Sequence, residues 1–168
     1  MKKLIFILVA LTIGFSSCDK SEEEDVYNPT TDGITGEWQS SGSNVAVLLS
    51  TYFKVDSIYA RFEANNTYYV ESYALDTKTI YSGTYAQAKS TTGSIWTIVL
   101  NQSTPTAVTS EGMFEITETG TVYSMKYEVV QTTPSISATP PTPAAGFGST
   151  NGGALGTWNV QNFVQIVK

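Results

Sequence analysis

From residue 36 onward the chain alternates apolar and polar side chains with a period of two, the spacing that sets every second residue on one face of a β-strand. The clearest case is the pair of runs 57–64 and 67–74, separated by Asn65-Asn66, two residues that readily take the positive φ angles of a two-residue hairpin turn. Such a turn pairs Ala64 with Thr67 and sets Phe62 opposite Tyr69, Ala60 opposite Glu71 and Ile58 opposite Tyr73 on one face. Tyr59, Arg61, Glu63, Tyr68 and Ser72 fall on the other. The first face is the more apolar, so it is expected to point inward and to carry Glu71 with it. An interior carboxylate is costly unless it is paired. Two readings follow: Glu71 anchors a ligand inside the fold, or it sits near a rim or against a buried tyrosine hydroxyl.

The rhythm continues downstream. Residues 79–87 read as a strand with Gly83 at a bend, and 95–102 place Trp96, Ile98 and Leu100 inward against Thr97 and Asn101. A second hairpin, 112–117 and 121–131, turns at Glu118-Thr119-Gly120 with Tyr123, Met125, Tyr127 and Val129 inward. Residues 157–167 form the closing strand, with Trp158, Val160, Val164 and Ile166 inward and Gln161 and Gln165 outward. With 36–40 at the front, this makes eight strands in up-and-down order. Residues 44–54 break the alternation, because Val45, Leu48, Leu49 and Tyr52 follow helical spacing, with Ser43 or Asn44 available as cap. The expectation is an all-β fold over 33–168: an eight-stranded up-and-down antiparallel barrel with one short helix after the first strand. Closure removes the sheet edges and leaves an interior for side chains or one small ligand.

What precedes the barrel sets its location. Met1-Lys2-Lys3, an apolar run over 4–15 and small residues before Cys18 have the order of a secretory leader, and the run is too short to span a bilayer. Phe15-Ser16-Ser17-Cys18 resembles a lipoprotein lipobox, with Phe15 in the usual leucine position. That resemblance implies removal of residues 1–17 and attachment of diacylglycerol and a further palmitate-type acyl chain at Cys18; two or three chains anchor a protein stably without a membrane helix. The other reading is an ordinary leader followed by a chance cysteine. Since Cys18 is the only cysteine, the domain is held by its core and not by disulfides. Residues 18–32 open with Asp19-Lys20-Ser21-Glu22-Glu23-Glu24-Asp25, a solvated acidic tether. Acidic residues directly after a lipidated cysteine resemble the signal that sends Bacteroidota lipoproteins to the outer face of the outer membrane. The implied location is the cell surface, with a periplasm-facing attachment as the alternative.

Charge and residue inventory narrow the chemistry. Once Lys2 and Lys3 leave with the leader, seven basic residues face fifteen acidic ones, so nucleic acid is not an expected partner. Histidine is absent and the one thiol is assigned to lipid, which removes the usual general base, metal ligand and activated nucleophile. No enzyme activity, metal or cofactor is expected.

Gly36-Glu37-Trp38, at the head of the meander, resembles the G-x-W that opens lipocalins, where the tryptophan packs across the barrel base. The chain has no T-D-Y motif in its late hairpin and no arginine after the last strand, so it is more similar to the short lipocalin-like domains of Bacteroidota lipoproteins, and the ligand preferences of lipocalins are not implied. A barrel of this kind suggests a small apolar or aromatic ligand, with Trp38, Tyr69, Tyr73, Trp96 and Tyr127 as walls and Glu71 as anchor. The alternative is a packed barrel serving as adaptor for another outer-membrane protein. The Pro- and Gly-rich stretch 132–153 reads either as a stiffened crossover or as a functional loop that inserts Phe147 into the mouth or a partner. Asp56-Ser57-Ile58 resembles the short O-glycosylation sequence of exported Bacteroidota proteins, making Ser57 a candidate acceptor.

Overall fold

The structure, a computed structural model, describes residues 27–166. The leader, Cys18 and the acidic run 19–25 lie outside that range. Eight strands follow in chain order: β1 (Gly36–Ser41), β2 (Val55–Phe62), β3 (Thr67–Ala74), β4 (Thr77–Lys89), β5 (Ile95–Thr104), β6 (Val108–Thr119), β7 (Val122–Thr133) and β8 (Gln161–Gln165). Each pairs antiparallel with the next, and β8 returns to β1, closing an up-and-down barrel. One short helix, α1 (Val47–Tyr52), follows β1 at the end of the barrel that we call the mouth. Two glycines let the sheet coil. A Cβ on Gly83 would stand 2.0 Å from the Asn101 carbonyl oxygen, and one on Gly112 would stand 2.0 Å from that of Glu128. Neighbouring strands therefore approach more closely at these two corners than any side chain permits.

At the opposite end, the base, hydrogen bonds fix the entering chain at several points. Trp38 is fully buried and donates its Nε1–H to the Ile34 carbonyl at 2.7 Å. Gln87 accepts the Ile34 N–H at 2.9 Å and donates to the Asp32 carbonyl at 3.1 Å, fixing the approach to β1. Tyr27 packs edge-on against Trp38 and Tyr123, with ring centroids 6.2 and 4.9 Å away, and its hydroxyl donates to the Gly33 carbonyl at 2.5 Å. Residues 27–32, which the charge pattern assigned to the tether, thus belong to the base.

The inward faces of β2, β5 and β7 are those expected from the alternation, but β3 is turned over. Glu63 N–H donates to the Thr67 carbonyl at 2.9 Å, so the loop holds three residues, 64–66, and only Asn66 takes a left-handed φ, of 64°. Asn65 stabilises this wider turn by accepting the Thr67 N–H and hydroxyl at 3.0 and 2.7 Å. Phe62 consequently pairs with Tyr68, not Tyr69. One residue of slip exchanges the two faces: Tyr68, Val70 and Ser72 point inward, and Tyr69, Glu71 and Tyr73 point outward.

β8 is reversed for a different reason. It begins at Gln161 after a 3-10 turn, Gly156–Asn159, and puts Gln161 and Phe163 inward, leaving Trp158, Val164 and Ile166 exposed. A buried glutamine is tolerable because its amide is fully used. Its Oε1 accepts the Ala46 N–H at 2.8 Å, and its Nε2 donates to the Asn44 carbonyl at 3.2 Å and to the Ser40 hydroxyl. This amide also replaces the expected cap of α1, since the N-cap is Ala46 and no side chain of Ser43 or Asn44 caps it.

Candidate functional site

The barrel interior is built in two tiers. The lower one is a continuous core in which Trp38, Phe62, Tyr85, Ile98, Phe114 and Phe163 are buried against one another. Toward the mouth the core continues on one side in the buried Val45, Val55 and Ile58, whereas Val70, Tyr81, Leu100 and Val129 are only partly buried, and Ser72, Ser110 and Gly112 add little bulk at neighbouring inward positions. Away from the strand ends, the inward positions carry no charged side chain.

Between the tiers stand Tyr68 on β3 and Tyr127 on β7. Tyr127 packs edge-on against Phe163 at 6.0 Å, and Tyr68 stacks on Phe62 at 6.1 Å. Neither hydroxyl hydrogen-bonds to another described residue, whereas the Tyr85 hydroxyl, deeper in the core, donates to the Glu63 carbonyl at 3.0 Å. Burial pushes the Tyr68 hydroxyl up to about 12. Burial, and then the nearby Tyr68, push Tyr127 up as well. Both rings therefore stay protonated at neutral pH and present O–H donors to the interior. Neither oxygen is sealed off: among the described residues the buried side-chain polar atom left without a partner is Asn159 Oδ1, so both tyrosine hydroxyls stand where a water or a ligand atom can reach them.

The residues singled out from the sequence separate into three groups. Trp96 and Tyr127 are inward, Trp96 stacking on Phe114 at 6.0 Å, and they line the interior as expected. Trp38 is inward but sealed into the base, where it closes the barrel instead of lining a ligand space. Tyr69, Glu71 and Tyr73 come together on the outside. Glu71 accepts the Tyr69 hydroxyl at 2.6 Å, the Tyr73 hydroxyl and the Lys78 ammonium at 3.0 Å. The two hydroxyls and then the ammonium hold its carboxyl down to about 2. Ser57, on the outer face of β2, is half-buried and donates to Asp56 Oδ1 at 3.1 Å.

The sequence pattern did not mark Tyr68, because the wrong turn length put it outside. Its signal was the improbable interior Glu71, which the other register removes. Glu128 was missed as well. It is fully buried on the outer surface of β7, where the crossover 134–160 folds over it. It accepts the Gly148 N–H at 2.6 Å, the Thr150 N–H at 3.1 Å and the Thr150 hydroxyl at 2.6 Å. Phe147 accordingly lies outside the barrel, with the Lys126 ammonium 5.2 Å from its ring centre, and does not enter the mouth. Two recesses mark the outside: one of about 280 Å³ over β6–β8, and a broad one of about 1290 Å³ at the base, between residues 27–37 and the β2–β3 turn.

Comparison with protein-family models, with curated proteins and with solved structures finds no match to this chain.

Proposed function

We propose that this chain is a lipid-anchored protein of the cell envelope whose barrel holds a small, uncharged, largely apolar molecule below its mouth. The observation that carries the reading is the pair of unpartnered hydroxyls, Tyr68 and Tyr127, among partly buried apolar walls. Phenylalanine would fill the same space without a polar group, so reachable, unpartnered hydroxyls at both positions favour a ligand oxygen that accepts from them. With no cation or carboxylate facing this space, an ionised ligand would be desolvated without compensation, which selects a neutral one. The anchor rests on Cys18 and its lipobox, and surface exposure rests on the acidic run 19–25.

Native mass spectrometry of the full chain purified from membranes tests the interior reading. A co-purifying neutral molecule is expected, to be lost in Tyr127→Phe and Tyr68→Phe variants that still fold. Wild-type protein without adduct, together with Phe variants that are simply more stable, would assign the hydroxyls to packing. Intact mass of wild type against Cys18→Ala tests the acylation, and protease shaving of intact cells tests the exposure.

One observation favours the adaptor reading. Tyr52 and Phe53 at the end of α1, Leu75 in the β3–β4 turn and Trp158 in the turn touching α1 are 65, 63, 79 and 49 % exposed, an apolar rim around the mouth. Clustered exposed aromatics of this kind mark contact surfaces. Cross-linking at Trp158 to one envelope protein, with an empty barrel, would support this second reading.

A further inference from the structure

The outer face of β1–β4 combines features that the interior ligand does not use. Register places Glu37, Arg61, Tyr69 and Ser82 in one row across the four strands and Gln39, Tyr59, Glu71 and Ile80 in the next. Tyr73 and Lys78 continue the surface toward the mouth. Tyr69 and Tyr73 both donate to the carboxyl between them, so their rings lean along β3 and are held there. Their backbones lie four residues apart on the strand, about 13 Å; the rings converge on the carboxyl between them and form one continuous aromatic strip, with the Arg61 guanidinium 5.8 Å from the Tyr69 ring centre at its lower end. Each cation of this face is already matched: Arg61 pairs with Glu63 at 2.7 Å, and Lys78 with Glu71 at 3.0 Å. A charged partner would have to break those pairs, whereas an uncharged one can add hydrogen bonds to their free lone pairs and N–H groups.

The lower row does not end in open solvent. Glu37, Arg61 and Glu63 line the 1290 Å³ base recess together with Asn28 and Asn66. A surface of fixed aromatic rings beside oriented carboxyl, guanidinium and amide groups matches the two kinds of surface on a sugar: ring C–H faces that pack on aromatics and hydroxyls that both donate and accept. We propose that this face and recess bind a neutral polysaccharide strand, running along β3 over Tyr73 and Tyr69 and into the base. The site is separate from the mouth and does not depend on what fills the barrel.

Affinity electrophoresis of the purified full chain, in a polyoxyethylene detergent that carries no sugar, tests it with gels containing mixed-linkage β-glucan, xyloglucan, galactomannan, dextran, starch or polygalacturonate. Retardation by at least one of the neutral polysaccharides is expected. Tyr69→Ala and Tyr73→Ala should each weaken it at least about tenfold, the loss expected when a central aromatic contact is truncated. Tyr127→Phe should leave it unchanged, so failure of the interior reading and failure of this one are told apart. Retardation by polygalacturonate alone, by none of the six, or to the same extent in alanine variants whose circular dichroism matches wild type would overturn the proposal.

Discussion

Glu71 and Glu128 stand on the same outer surface of the barrel and each collects three donors, yet they do different work because of what lies over them. The partners of Glu71 come from its own hairpin, within seven residues, and water reaches the cluster. The partners of Glu128 come from a crossover about twenty residues later, and that crossover removes it from water entirely. In the first case folding of β3 and β4 already brings the groups together, so the carboxyl orients side chains for contact with something outside. In the second, the carboxyl is the tie that holds a long segment down. Burial, not the number of hydrogen bonds, decides which of the two is structural.

The largest effect should come from removing the buried tie. Glu128→Ala leaves the Gly148 and Thr150 N–H groups and the Thr150 hydroxyl without their acceptor, which is expected to cost about 3 kcal/mol of stability. Urea unfolding measures the loss, and limited proteolysis should show new cleavage within 140–155. If the crossover stays protected, its attachment lies in apolar contacts and the contrast with Glu71 fails. Gly112→Ala strikes the same place through the backbone, since its Cβ would meet the Glu128 carbonyl on β7. Crowding of this kind is expected to cost about 1–3 kcal/mol, read as a lower urea midpoint. Thr150→Val keeps the N–H bond but removes the hydroxyl, whose oxygen also accepts from Asn159 Nδ2 at 2.9 Å. A loss of about 1 kcal/mol follows, between the Glu128 and the Glu71 substitutions.

This contrast also explains what the amino-acid order disclosed and what it withheld. Strand number, order, the barrel and the helix after β1 are readable because alternation and turn residues are local properties. The inward faces of Trp96–Leu100 and Tyr123–Val129 are likewise local, set by apolar side chains at every second position. Two strands were turned over, and in each the deciding interaction was a polar one. For β3 it was the Asn65 side chain, which favours a three-residue turn and thereby carries Glu71 outward and Tyr68 inward. For β8 it was the amide of Gln161, whose partners lie more than a hundred residues earlier at Ser40, Asn44 and Ala46, so apolar counting chose the wrong face. Of the proposed interior wall, Trp96 and Tyr127 were legible. Tyr68 became visible only with the register, and Glu128 only with the fold of the crossover.

The smallest effect on stability, and the sharpest test of the comparison, belongs to Glu71 itself. Its carboxyl is held at about 2 against an ordinary 4.5, first by the Tyr69 and Tyr73 hydroxyls and then by Lys78. A carboxyl lowered on folding contributes stability that is complete above about 4.5 and is lost as pH falls toward about 2. The carboxylate of Glu71 is therefore ionised across the whole physiological range, and any contact it makes with an outside partner should be insensitive to pH from 8 down to about 4. Carbon-detected NMR of the side-chain carboxyl should give a midpoint near 2 in wild type and one moved toward 4.5 when Tyr69 and Tyr73 are both changed to Phe. The urea midpoint at neutral pH should shift less in Glu71→Gln than in Thr150→Val. A wild-type midpoint already near 4.5 would mean that the two tyrosines do not hold the carboxyl, and the outer face would lose the fixed geometry on which its contrast with the buried tie depends.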